Sequence, residues 1–235
     1  MLVDIFSSFD DHNLVFLSFS WPMWIITLVT MIMFTMTYWT TPSRWQFILN
    51  MPKTIISSQI FRSYGKNMGG FINVVASLFI FLIIINLTGL FPYVFSSTSH
   101  LAMAFSFALP FWMSLIISGL MKNPLTLMSN LLPTGTPGLL SPFLVLIETV
   151  SISVRPITLS VRLMANMGAG HIILGLIGTF TSSGLFIFSM LTTTVLILVQ
   201  IGYFMFEIGI CLIQGYIFSL LVTLYSDDHP NAGSH

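Results

Sequence analysis

Residues 139–180, LLSPFLVLIETVSISVRPITLSVRLMANMGAGHIILGLIGTF, decide how this chain folds. The stretch is 42 residues long and its only formally charged side chains are Glu148, Arg155 and Arg162. As one continuous helix it would reach about 63 Å, twice the roughly 30 Å of a bilayer's hydrocarbon core. A second apolar run, 185–225, is almost as long. Either each run is two helices, giving seven spans, or each is one strongly tilted or bent helix, giving five. Thr179–Gly184 is the one cluster that reads as a loop, and Pro156 marks a kink rather than a turn. Five spans ending in a long tilted hairpin are therefore expected.

The rest of the chain fits that frame. Its 235 residues include 7 Lys+Arg and 7 Asp+Glu, so 6% are charged, against about 25% in an average soluble domain. A soluble surface cannot be built from so few charges. One cysteine excludes a disulfide scaffold, and zero net charge gives no reason to expect a nucleic-acid partner. The apolar runs do not alternate with period 2, which excludes a closed barrel. The expected architecture is an all-α integral membrane fold in one domain, 1–235. It has about five transmembrane helices: 21–39, 71–91, 101–121, 139–180 and 185–225. Pro110 should kink the third. Residues 43–66 mix apolar and basic side chains and are expected to lie along the interface as an amphipathic helix. Arg44, Lys53, Arg62, Lys66 and Lys122 then share one side, which the positive-inside rule makes the inner one, with the acidic N-terminus outside. No signal peptide or other targeting sequence is expected, because a basic segment before the first apolar run is missing.

Charges within the last two spans carry the functional information. A charged side chain at the bilayer centre costs from about 2.5–3.5 kcal/mol on insertion scales to above 10 in simulations. Such residues mark a pathway unless paired. Glu148, Arg155 and Arg162 are seven and seven apart, and seven residues fall roughly 20° short of two turns, so the three share one helix face. Asn166 extends that face. Gln200, Glu207 and Gln214 repeat the spacing on the following helix, so two polar stripes can meet in a charged seam through an apolar wall. Ala165, Gly168, Ala169 and Gly170 leave room for close helix approach near Arg162. Each residue has a plainer alternative. Glu148 with Arg155 can be a bracing ion pair, His171 a core histidine, the glutamines helix glue, and Cys211 an inert thiol. Arg162 differs, because a guanidinium stays protonated at any working pH. It cannot relay a proton, but it can hold a mobile carboxylate as an anion and block a leak. Phosphate loops and the common zinc and hydrolase motifs do not occur, so the chain is expected to bind no nucleotide and to run no hydrolytic chemistry on its own.

The run Arg162-Leu163-Met164-Ala165-Asn166-Met167-Gly168-Ala169-Gly170-His171 resembles the R-L-x-A-N-x-x-A-G-H signature of subunit a of the mitochondrial F-type ATP synthase. Gly89-Leu90-Phe91-Pro92, Glu148 fourteen residues before Arg162, and Leu212-Ile213-Gln214-Gly215-Tyr216-Ile217-Phe218 also resemble that family. The likeness runs from about Trp21 to Asp228, and the R-L-x-A-N block is its most specific part. It implies a stator proton channel of the Fo sector, in the mitochondrial inner membrane, with the N-terminus in the intermembrane space and the C-terminus in the matrix. Arg162 would face the carboxylates of a rotating c-ring and separate two aqueous half-channels. His171 and Glu207 would line the half-channel from the intermembrane space, and Glu148 and Asp228 the one to the matrix. Asn166 and Gln214 would lie near the arginine. The implied partners are the c-ring, peripheral-stalk and small membrane stator subunits, lipid and protons, with no cofactor or metal. Arg155 receives no role from the resemblance. A secondary transporter is the competing class, but no second half resembles the first, as inverted repeats require. A purely structural scaffold would not need Arg162 and Glu207 near the bilayer centre.

Overall fold

The computed structural model describes residues 25, 29, 44–91, 96–131, 140–187 and 190–227. Of the first expected span, 21–39, only Ile25 and Val29 are described, both helical, so that span lies outside the described residues. The remainder is all helix: α1 (Arg44–Ile60), α2 (Phe71–Gly89), α3 (Leu101–Lys122), the short α4 (Pro124–Asn130), α5 (Ser141–Ile187) and α6 (Met190–Asp227). One-turn 3-10 segments, Tyr64–Asn67 and Ser97–Ser99, precede α2 and α3. Among the described residues α2, α3, α5 and α6 are each long and apolar enough to cross a membrane.

Both long apolar runs are single helices. α5 has 47 residues and α6 has 38, about 70 Å and 57 Å at 1.5 Å per residue. Helices of that length fit a hydrocarbon core of roughly 30 Å only when steeply inclined or extended beyond it. The loop expected at Thr179–Gly184 is instead helix, and α5 continues to Ile187. The reason is in the hydroxyls. Thr179 donates to the Leu176 carbonyl (2.8 Å), Thr181 to Gly178 (2.9 Å) and Ser182 to Thr179 (2.9 Å). Bonded back to their own helix, these residues no longer act as turn formers. Pro110 and Pro156 both sit inside unbroken helices.

α2 is the centre of the bundle. It packs on α1 and α6, while α3 packs on α5, and α5 on α6. The core joins Ile56 and Ile60 of α1 to Val75, Phe79 and Leu82 of α2, Leu159 and Leu163 of α5, and Phe218 and Val222 of α6. Gly215 lets α6 approach α2, since a Cβ there would stand 3.0 Å from Ile83 Cγ1. α1, expected at the interface, is thus docked by one face on α2 and also bonded to α6, where Gln59 Nε2 donates to the Tyr216 hydroxyl at 3.3 Å. Its other face exposes Phe47, Met51 and Ile55. The outer faces of the hairpin are equally apolar, with Val154, Ile157 and Val161 exposed on α5 and Leu198, Ile201 and Met205 on α6.

Candidate functional site

Of the two polar stripes, one pair bonds across the α5–α6 crossing, while Arg162, expected on the same face, lies exposed outside it. Asn166 Nδ2 donates to Gln214 Oε1 at 2.8 Å, with Gln214 buried. One residue on, Met167 Sδ lies 3.6 Å from Cys211 Sγ, and the Cys211 thiol also points at the Asn86 carbonyl, 3.8 Å away. One turn further along α6 the Glu207 carboxylate presses directly on the Gly170 backbone, in space that any side chain at 170 would fill. Glu207 is 1% exposed, and the group facing its carboxylate is the Tyr203 hydroxyl one turn away on α6. His171, next to Gly170, is half-buried at the same level of the crossing. The four small residues after Arg162 therefore divide: Gly170 is the seat of Glu207, a Cβ at Gly168 would meet nothing, and Ala165 and Ala169 are exposed.

The basic residues behave differently from one another. Arg155 Nη2 lies 3.7 Å from Glu148 Oε1, the heptad neighbour expected on its face. Its guanidinium also sits 5.1 Å from the centroid of the Tyr225 ring on α6. Arg162 does not join this group. It is exposed beside Val161 and Ala165, and among the described residues it makes no ion pair. Gln200 is half-buried. Asp228 lies outside the described residues, and its neighbour Asp227 is exposed at the end of α6. Among the described residues no three His, Cys, Asp or Glu side chains converge as metal ligands would.

Two features were missed in the sequence. Tyr225 closes the second long apolar run, and nothing in its spacing points to Arg155. Asn86 is completely buried in α2, with both amide atoms unpartnered among the described residues, as are the buried hydroxyls of Ser97 and Thr98. Its signal was present: an amide three residues before Gly89, deep in an apolar span.

The family model for "ATP synthase A chain" matches residues 18–227. ATP synthase subunit a of the locust Locusta migratoria is 39% identical over 233 residues, covering 97% of this chain and 99% of its own length. That of the brine shrimp Artemia franciscana is 38% identical over 236 residues (97% and 100%), and that of Drosophila melanogaster 37% over 231 (97% and 99%).

Proposed function

Because this chain belongs to the ATP synthase subunit a family, we propose that it is the stator proton channel of the Fo sector, a multi-pass protein of the mitochondrial inner membrane. It delivers protons to and from a ring of c-subunit carboxylates and does no nucleotide chemistry itself. The single observation that supports this best is the contrast between two charges of the hairpin: Glu207 is sealed against Gly170, whereas Arg162 is exposed on an apolar outer face with no ion pair among the described residues.

The mechanism is the one that membership of the family implies, with each role carried by the matching residue of this chain. A proton entering from the intermembrane space passes by way of His171 and Glu207 to a ring carboxylate, which once neutral can move into lipid. After most of a turn the carboxylate releases its proton toward the matrix through a second path lined by Glu148 and Asp228. It then meets Arg162 as an anion. Because the guanidinium holds its charge, no proton crosses directly from one half-channel to the other. Asn166 and Gln214, bonded to each other, close the α5–α6 seam four residues beyond Arg162. Each proton falling through 100 mV supplies about 2.3 kcal/mol, so several are summed per ATP and any leak is a direct loss. The N-terminus faces the intermembrane space and the C-terminus the matrix, with the basic loops inside. The peripheral stalk and small stator subunits hold the chain against the ring.

Arg162→Lys tests the reading. It should abolish gradient-driven ATP synthesis while the complex assembles normally, because an ammonium lacks the fixed planar charge of a guanidinium and can lose its proton. Retained synthesis would overturn the proposal. His171→Ala and Glu207→Gln should each slow proton flow; wild-type flow in both removes them from the path.

A further inference from the structure

We propose that Arg155 and Tyr225 form a cation–π brace that, with the Asn166–Gln214 hydrogen bond, fixes the register of α5 against α6 so that Arg162 is kept unpaired. The inference rests on the role of Arg162 given above and adds two positioning residues to it. Nothing in the family resemblance assigned Arg155 a part.

Both links belong to one register of α5 against α6. Eleven residues separate Arg155 from Asn166 on α5, and eleven separate Gln214 from Tyr225 on α6. Eleven residues make about three helical turns, so on each antiparallel helix both links fall on one stripe. The guanidinium of Arg155 over the Tyr225 ring and the amide pair of Asn166 and Gln214 are thus two rungs of one ladder. Arg162 lies between the rungs. In this register the α6 residue level with it is Phe218, whose ring is 1% exposed in the apolar core. Packed on all sides in that core, the Phe218 ring offers the guanidinium neither a hydrogen-bond acceptor nor an open face, so Arg162 turns to the free face. A slip of one turn would change this. It would bring Gln214, four residues from Phe218, level with Arg162, and the Gln214 carbonyl oxygen would accept from the guanidinium. Arg162 would then be held within its own subunit.

Arg155 suits the bracing task because its charge is already committed. Glu148 holds one side of the guanidinium at 3.7 Å, and the side chain is 27% exposed. A partly desolvated cation gains more from a ring face than one in water. The ring belongs to the other helix, so the contact acts between helices, whereas the Glu148 pair acts within α5. Tyr225 also sits one residue before Ser226 and two before Asp227, where α6 ends. The brace therefore secures the end of the hairpin opposite its turn.

The test uses the intact ATP synthase in membrane vesicles, with complex content measured and Arg162→Lys run alongside. Arg155→Gln and Tyr225→Leu should each lower gradient-driven ATP synthesis about threefold to tenfold at normal complex content. The double variant should be no worse than the worse single, as expected when both remove one interaction. Arg155→Lys and Tyr225→Phe, which keep the cation and the ring face, should restore most of the rate. If Arg155→Gln does not assemble, Tyr225→Leu against Tyr225→Phe decides by the same criterion. Wild-type rates in Tyr225→Leu, or losses that add in the double variant, overturn the brace. Should Arg162→Lys stay active, the channel reading itself falls; an inactive Arg162→Lys beside unaffected brace variants removes the brace alone.

Discussion

Replacing Gly170 with alanine puts the Glu207 seat to a quantitative test. A Cβ at 170 would overlap the carboxylate of Glu207, and even the farther oxygen, Oε2, would be 2.6 Å away. The substitution has two opposing effects. Alanine in a helix interior is favoured over glycine by about 0.5–1 kcal/mol. Forcing extra volume into a packed site costs about 1–3 kcal/mol. Gly175, on the same helix, separates the two, because a Cβ there would meet nothing within 4 Å. Gly175→Ala should therefore stabilise slightly, while Gly170→Ala falls below it by up to about 3 kcal/mol, the cost shrinking as the flexible end of Glu207 swings clear. The functional consequence is larger than the energetic one. Glu207 can yield only by moving its carboxylate out of the α5–α6 crossing, away from the level of His171, and proton flow should slow with it. The assays are thermal unfolding of the purified complex and proton flux into vesicles at matched complex content. Glu207→Asp in the Gly170→Ala background withdraws the carboxylate by one methylene and should recover part of the flux. A Gly170→Ala complex as stable as Gly175→Ala, with wild-type flux, would show that Glu207 does not occupy this seat.

Three further outcomes follow from the packing. Asn166→Leu and Gln214→Leu should each weaken the α5–α6 contact by about 0.6–1.7 kcal/mol, the range for hydrogen bonds between membrane helices, and a double-mutant cycle on unfolding should show strong coupling. Additive losses would mean that the pair does not form. Gly215→Leu should destabilise by at least about 1–3 kcal/mol, because Ile83 already lies at the contact limit of a Cβ, and a melting temperature equal to wild type would contradict the close α2–α6 approach. Gln59→Leu should cost at most about 1 kcal/mol in the same melt, since it removes one part-buried bond of 3.3 Å; a loss of assembly would show that α1 is held by more than its core contacts.

What could be read from the sequence was what depends on one helix at a time. Run length made α5 and α6 long helices, and heptad spacing put Glu148 within reach of Arg155. The loop expected at Thr179–Gly184 is helix because Ser, Thr and Gly break helices mainly where water competes for the backbone. In an apolar setting their hydroxyls bond to the preceding turn and the helix runs on. Contacts between helices were legible only in outline. The stripes ending in Asn166 and Gln214 were expected to meet, and that pair does, while Arg162 lies outside the crossing. The pairing of Arg155 with Tyr225, and of Gly170 with Glu207, depends on the register of one helix against another. Composition does not set that register. Packing around Phe79, Leu163 and Phe218 does.

The choice between a channel and a scaffold turns on how each charge in the wall is compensated. An arginine placed at the centre of a membrane helix costs about 2.5–3.5 kcal/mol even on insertion scales. Arg155 offsets that with a carboxylate on its own helix and a ring on the next. Arg162 has neither among the described residues, although Asn166 and Gln214 stand one turn away and spend their hydrogen bond on each other. A scaffold selected for stability gains nothing from such an arrangement, since a register that set Gln214 level with Arg162 would lower its cost. The arrangement makes sense if the compensating anion comes from outside the chain and must also leave. A fixed external carboxylate would satisfy the charge but do no work. A succession of identical carboxylates, each an anion only while it faces Arg162, satisfies it continuously and requires motion between them. The unpaired guanidinium is thus an argument for a moving partner, and Arg162→Lys, read through synthesis and not through assembly, is where that argument is exposed to failure.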